Sequence, residues 1–175
     1  MRVVIAPDGF GGTLGPRDAA AAIARGWLRV RPHDEVVLAP LSDGGEGLLD
    51  VLAGPDDTWV TTEVVGPLGL PVDAAFLLRR DGTAVIESAR ACGLALVPPS
   101  RRSPLETTTF GVGELLLAAR DAGASRVLLG LGGSATVDGG AGALTGLGYR
   151  LRVADGSGLK IGGRDLGRID RVEPG

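Results

Sequence analysis

Arg2-Val3-Val4-Ile5-Ala6-Pro7-Asp8-Gly9 begins with a short, mostly apolar run closed by proline, and Glu35-Val36-Val37-Leu38-Ala39-Pro40 repeats that plan. Runs of this length without polar alternation suit buried strands of a parallel sheet. Between them, Pro16 can open a helix, because its missing N–H lies where a helix start leaves donors unbonded anyway. Ala20, Ile23, Ala24, Trp27 and Leu28 then recur at helical spacing and predict one apolar face. Arg31-Pro32-His33-Asp34 stops the helix. Strand, helix and strand in that order predict a βαβ unit, an α/β fold and a parallel pair.

Outward from this unit, a second helix is expected to start within Gly44-Gly45-Glu46-Gly47 and to run through Leu48, Leu49, Val51 and Leu52. The pattern changes after Gly54. Trp59 to Val65, Val72 to Arg79 and Ala84 to Glu87 alternate with turn residues and predict an antiparallel meander in a second α/β domain. Helical spacing returns after Thr109, with Leu115, Leu116 and Ala119 on one face and Gly123 as a C-cap. Val127 to Leu131 reads as a further buried strand and Tyr149 to Val153 as the last one. The tail from Arg168 to Gly175 reads as an open element cut short.

Composition narrows the chemistry. The 175 residues carry a net charge of −3, dispersed along the chain, which argues against a nucleic-acid partner or an anionic membrane surface. Cys92 is the only cysteine and His33 the only histidine, so disulfides, Cys–His catalysis, Ser–His–Asp triads and His-rich metal centres are set aside. Cys92 itself reads as packed core. With no leader ahead of Arg2 and no apolar run of the ~18 residues a membrane span needs, a cytoplasmic protein without membrane attachment is expected.

Three loops remain as candidates. Asp8 follows the first strand, Asp43 the second, and Asp138 the strand ending at Leu131. Ligands of open parallel sheets bind at the carboxyl ends of the strands, where such acids could hold Mg²⁺ or accept a hydroxyl proton. Asp is also a favoured helix N-cap, so a purely structural reading stays open for each. Gly44, Gly45, Gly130, Gly132, Gly133, Gly139 and Gly140 would let backbone N–H groups approach phosphate, with Ser134 and Thr136 as hydroxyl donors. Tight turns are the alternative. Gly130 to Ala135 also satisfies a dinucleotide fingerprint, with Asp155 at the expected spacing. Against that reading, the helix it requires would contain Gly139, Gly140, Gly142, Gly146 and Gly148, each unfavourable by ~1 kcal/mol.

Taken in order, Ile5 to Leu14, Ser42-Asp43-Gly44-Gly45-Glu46-Gly47, Val65 to Gly69, Gly93 to Pro98, Thr107 to Glu114 and Gly130 to Gly142 resemble the type I glycerate kinases of bacteria. The resemblance implies two α/β domains, one of them flavodoxin-like. Residues 1–54 would begin the flavodoxin-like domain, 55–105 would form a β-rich part of the second, and 106–175 an α/β segment with a glycine-rich loop. It also implies phosphorylation of D-glycerate to phosphoglycerate with ATP and Mg²⁺, ligands meeting between the domains. On that basis Asp8, Asp43 and Asp138 are candidate catalytic residues, with Asp43 and Asp138 as candidate metal ligands. Gly44, Gly45, Thr107, Thr108, Gly132, Gly133 and Ser134 are candidates for substrate or phosphate contacts. The division of roles among the three acids stays open, as does the hydroxyl phosphorylated.

Two departures bear on activity. The family's first loop commonly reads Asp-Ser-Phe-Lys-Gly where this chain has Asp8-Gly9-Phe10-Gly11-Gly12, and Val137 stands where the family usually has Asn. The resemblance further implies that the chain is the N-terminal part of the enzyme, with an acidic Gly-Glu-Gly-Arg-x-Asp motif beyond it. A catalytically inactive relative or fragment that only binds an anionic ligand is the alternative reading.

Overall fold

In a computed structural model describing residues 1–175, strand β1 (Arg2–Ile5) pairs in parallel with β2 (Glu35–Leu38), Ile5 lying opposite Leu38. Helix α1 (Pro16–Val30) makes the crossover, with Pro16 in its first turn, Asp18 near its positive end and Arg29 near its negative end. Only the small residues of the expected face make the contact. Ala19, Ala20 and Ala24 are buried, and Ala20 and Ala24 pack on Ile5, Val3 and Val36, while Ile23, Trp27 and Leu28 are exposed. The alanines let α1 lie close to a sheet only two strands wide, too narrow to reach the larger side chains. The Trp27 indole N–H donates to Asp34 at 3.1 Å. Narrowness also corrects the reading of β1 as fully buried, since Val4 remains 60% exposed.

The second sheet has the order β3-β4-β5-β6, formed by Thr58–Val65, Pro71–Leu78, Thr83–Glu87 and Arg126–Gly130. Its first two pairings are antiparallel and β5 pairs with β6 in parallel. Every residue of β5 is buried, because the strand is central and both faces are covered. On one face lie α3 (Ala89–Cys92) and α4 (Phe110–Asp121), whose Cys92, Val112, Leu115 and Ala119 close over Phe76 and Ile86. On the other, α2 (Leu48–Leu52) sets Leu49 against Leu77 and Val85.

Strand β6 is at the sheet edge, which corrects its reading as a buried strand: Val127 and Leu128 are exposed and only Leu129 turns to the core. The tail, read as an open element cut short, forms β8 (Ile169–Glu173) and pairs antiparallel with β7 (Arg150–Val153). A short helix, α5 (Ala141–Gly146), packs on α4. Arg17 of α1 donates to the carbonyls of Asp50, Val51 and Ala53 and so ties the first unit to α2. No helix is long and apolar enough to cross a membrane.

Candidate active site

Parallel pairing sends the chain out of β1 and β2 at the same sheet edge. The N–H groups of Ala39 and Leu41 donate to the carbonyls of Ile5 and Pro7 at 2.8 and 2.9 Å, holding the two exits side by side. Asp8 and Asp43 consequently open onto one cleft of about 650 Å³, together with Gly45, Glu46, Gly133 and Arg102. Each acid fixes its own turn through Oδ1: Asp8 accepts from Gly9 N–H at 2.6 Å and Asp43 from Gly45 N–H at 2.9 Å. The Oδ2 atoms accept no hydrogen bond from the protein, leaving each acid one oxygen for a ligand.

The glycine loops meet back to back beneath the cleft. Gly44 has φ +101°, and a Cβ there would stand 3.1 Å from the Leu131 carbonyl oxygen. A Cβ on Gly132 would lie 2.6 Å from Gly45 Cα and 2.7 Å from Gly45 N, well inside contact distance. Close approach of two backbones therefore explains these glycines, and it fixes the loop whose Gly45 N–H holds Asp43. Gly132→Ala is expected to destabilise the protein by about 1–3 kcal/mol through this overlap, measured as a lower urea midpoint.

Asp138 occupies a different place. It is 1% exposed and accepts hydrogen bonds from the Thr109 N–H at 2.7 Å, the Gly140 N–H at 3.0 Å and the Gly142 N–H at 3.2 Å. The hydroxyls of Thr108 and Thr109 donate to it as well. Its negative charge also sits at the positive end of α4. Thr107 is buried and donates to the Ala135 carbonyl at 2.7 Å, and Thr136 donates to the Thr107 carbonyl at 2.6 Å. Thr108 lines a second cavity of about 370 Å³, with Gly142, Tyr149 and Lys160. Ser134 forms an isolated bridge with Gly93. The cleft thus gathers Asp8, Asp43, Gly45 and Gly133, has Gly44 and Gly132 packed beneath it, and is not lined by Asp138, Thr107, Thr108 or Ser134.

Glu87, at the end of β5, is the residue sequence reasoning passed over. It is 3% exposed and accepts from the Leu49 N–H at 3.2 Å, so it anchors α2 and the Asp43 loop leading into that helix. An acid closing the apolar run Ala84-Val85-Ile86 was the available signal. Burial pushes its carboxyl above the usual carboxylate range, against the Leu49 N–H and the Arg90 guanidinium, which pull it down. Folded protein then binds this proton more tightly than unfolded chain, so the contribution to stability is full below the unfolded pKa and is lost as pH rises through the folded one. Glu87→Gln keeps an acceptor for Leu49. It is expected to be more stable than the parent at pH 7 and to lose that advantage as pH falls toward 4.5, read from urea midpoints.

No group of three or more His, Cys, Asp and Glu side chains gathers closely enough to hold a metal ion unaided. Asp8 and Asp43 suit a hard cation that keeps waters or brings other oxygen ligands with it.

A model of the glycerate kinase family matches residues 3–174. The chain is 47% identical over 175 residues to a glycerate kinase of Bacillus subtilis (strain 168), covering 99% of this chain and 46% of that protein. It is 41% identical over 179 residues to a glycerate 2-kinase of Escherichia coli (strain K12), again covering 99% of this chain and 46% of that protein. The crystal structure of a protein assigned as glycerate kinase 2 from Salmonella typhimurium LT2 superposes with a TM-score of 0.76 at 42% identity, over 99% of this chain and 47% of that one. The chain therefore spans about half the length of the relatives it matches.

Proposed function

The chain belongs to the glycerate kinase family, and on that premise we propose that it supplies the acceptor cleft of an enzyme that phosphorylates D-glycerate with ATP. The observation that carries this reading is the delivery of Asp8 and Asp43, from two parallel strands, to one polar cleft with an oxygen of each unused. In the reaction a glycerate hydroxyl oxygen bonds to the γ-phosphorus as the bond to the β-phosphate oxygen breaks, and ADP leaves. The hydroxyl proton passes to Asp8 or Asp43 and then to water. Such transfer depends on positioning and on neutralising charge more than on covalent help.

Mg²⁺ arriving with the nucleotide would neutralise phosphate charge, and whichever of Asp43 and Asp8 does not take the proton would hold it through its free oxygen, with waters completing the shell. Asp138 acts one step back, tying the glycine turn that leads into α5 to the start of α4, and Thr108 donates to it. Thr107, bonded to the Ala135 carbonyl, steadies the chain just after Gly132, Gly133 and Ser134. In this reading the enzyme is of type I and cytoplasmic, and the chain is its N-terminal part. Residues 1–54 then begin a flavodoxin-like domain, while 55–105, with the antiparallel meander, and 106–175 belong to the second.

The test is ADP release by the 175-residue chain with MgATP, with and without D-glycerate. Glycerate-dependent release is expected. Its absence from protein shown to be folded by circular dichroism would overturn the proposal that these residues hold a working site.

A further inference from the structure

The charged side chains lining the cleft are the carboxylates of Asp8, Asp43, Glu46 and Asp50 and the single guanidinium of Arg102. Arg101, next to it in the chain, does not line the cleft, and two further arginines are committed elsewhere. Arg17 is spent on carbonyls at the end of α2, and Arg90 lies 3.8 Å from Glu87 and 3.9 Å from Asp50. Arg102 follows the helical turn Pro99–Arg101 and donates only its Nε–H, to the Val97 carbonyl at 3.4 Å. That bond steadies the guanidinium, while its outer N–H donors face no protein carboxylate.

The two ligands of the proposed reaction differ in what they bring. A nucleotide arrives with its own magnesium ion. A hydroxy acid arrives as a bare carboxylate, and four protein carboxylates around it would repel it. We infer that Arg102 binds the carboxylate of the acceptor and makes this cleft select a short hydroxy acid over a neutral polyol. The inference rests on the kinase reading of the same cleft. A planar guanidinium matches a carboxylate through paired N–H bonds. Leu94 and Ala95, which also line the cleft, give a short carbon chain an apolar wall.

The experiment is calorimetric titration of the 175-residue chain with D-glycerate, glycerol and MgATP, for the parent, Arg102→Ala and Arg102→Lys. Arg102→Ala is expected to weaken D-glycerate binding by about 10–100-fold, the loss of a charge-assisted hydrogen bond. MgATP affinity should stay within about twofold and preference over glycerol should collapse. Arg102→Lys, which keeps the charge without the fork, should recover part of the loss. Unchanged D-glycerate affinity in Arg102→Ala, equal weakening of D-glycerate and MgATP, or no D-glycerate binding by the parent would each overturn the inference. Glycerate binding that depends on Arg102 without any ADP release would leave it standing and overturn only the proposal that these residues hold a working site by themselves.

Discussion

Asp43→Asn is expected to lower kcat by about 10²–10⁴-fold, the usual worth of a positioned proton acceptor or charge in the transition state, while the fold stays intact. The substitution separates charge from geometry because of how Asp43 is held. Its Oδ1 accepts from the Gly45 N–H at 2.9 Å, and an asparagine carbonyl oxygen can accept the same bond. The turn Ser42-Asp43-Gly44-Gly45 therefore survives, along with its packing against Gly132. What disappears is the negative charge on the side chain's cleft-facing edge. The side chain is exposed, so the melting temperature should move by no more than about 2 °C. If Asp43 acts in the transition state, kcat and kcat/KM for glycerate should fall together. Unchanged turnover would remove Asp43 from the reacting groups and leave Asp8 to carry them.

Much of this site was legible because parallel strands impose a direction. Two apolar runs joined by a helix must be parallel, so the acids following them must emerge at one edge, and Asp8 and Asp43 do. Periodicity fared less well on α1. It located the face that holds Ala20 and Ala24, which make the contact, but not the extent of the surface opposite, which leaves Ile23, Trp27 and Leu28 exposed. The same limitation applied to β6, whose run of apolar residues resembles that of a central strand although it lies at an edge.

Local sequence also left the purpose of several glycines undecided. A glycine that yields to phosphate and one that yields to another backbone look alike until the partner is placed, and for Gly132 the partner is Gly45. Glu87 escaped notice for a related reason. Its partner, the Leu49 N–H, lies 38 residues away in α2.

Asp138→Ala carries the largest expected effect on stability, and its reasoning runs opposite to that for Asp43. Three backbone N–H groups, those of Thr109, Gly140 and Gly142, end on this one carboxylate, and none can rotate toward another acceptor. The threonine hydroxyls can turn away, but the amides are held by α4 and by the glycine turn that leads into α5. Each buried donor left unsatisfied costs about 1–3 kcal/mol, less whatever water recovers, so a total of about 3–5 kcal/mol is expected. For a chain of this size that corresponds to a melting temperature lower by roughly 10 °C. Asp138→Asn should also destabilise, by a smaller amount, since one of its two polar ends is an NH₂ group facing donors that need an acceptor. Turnover by the folded fraction of the asparagine variant, measured well below its melting point, should stay within about tenfold of the parent. A variant that melts like the parent yet loses turnover would reverse the assignment, placing Asp138 among the groups that touch the ligands rather than beneath them.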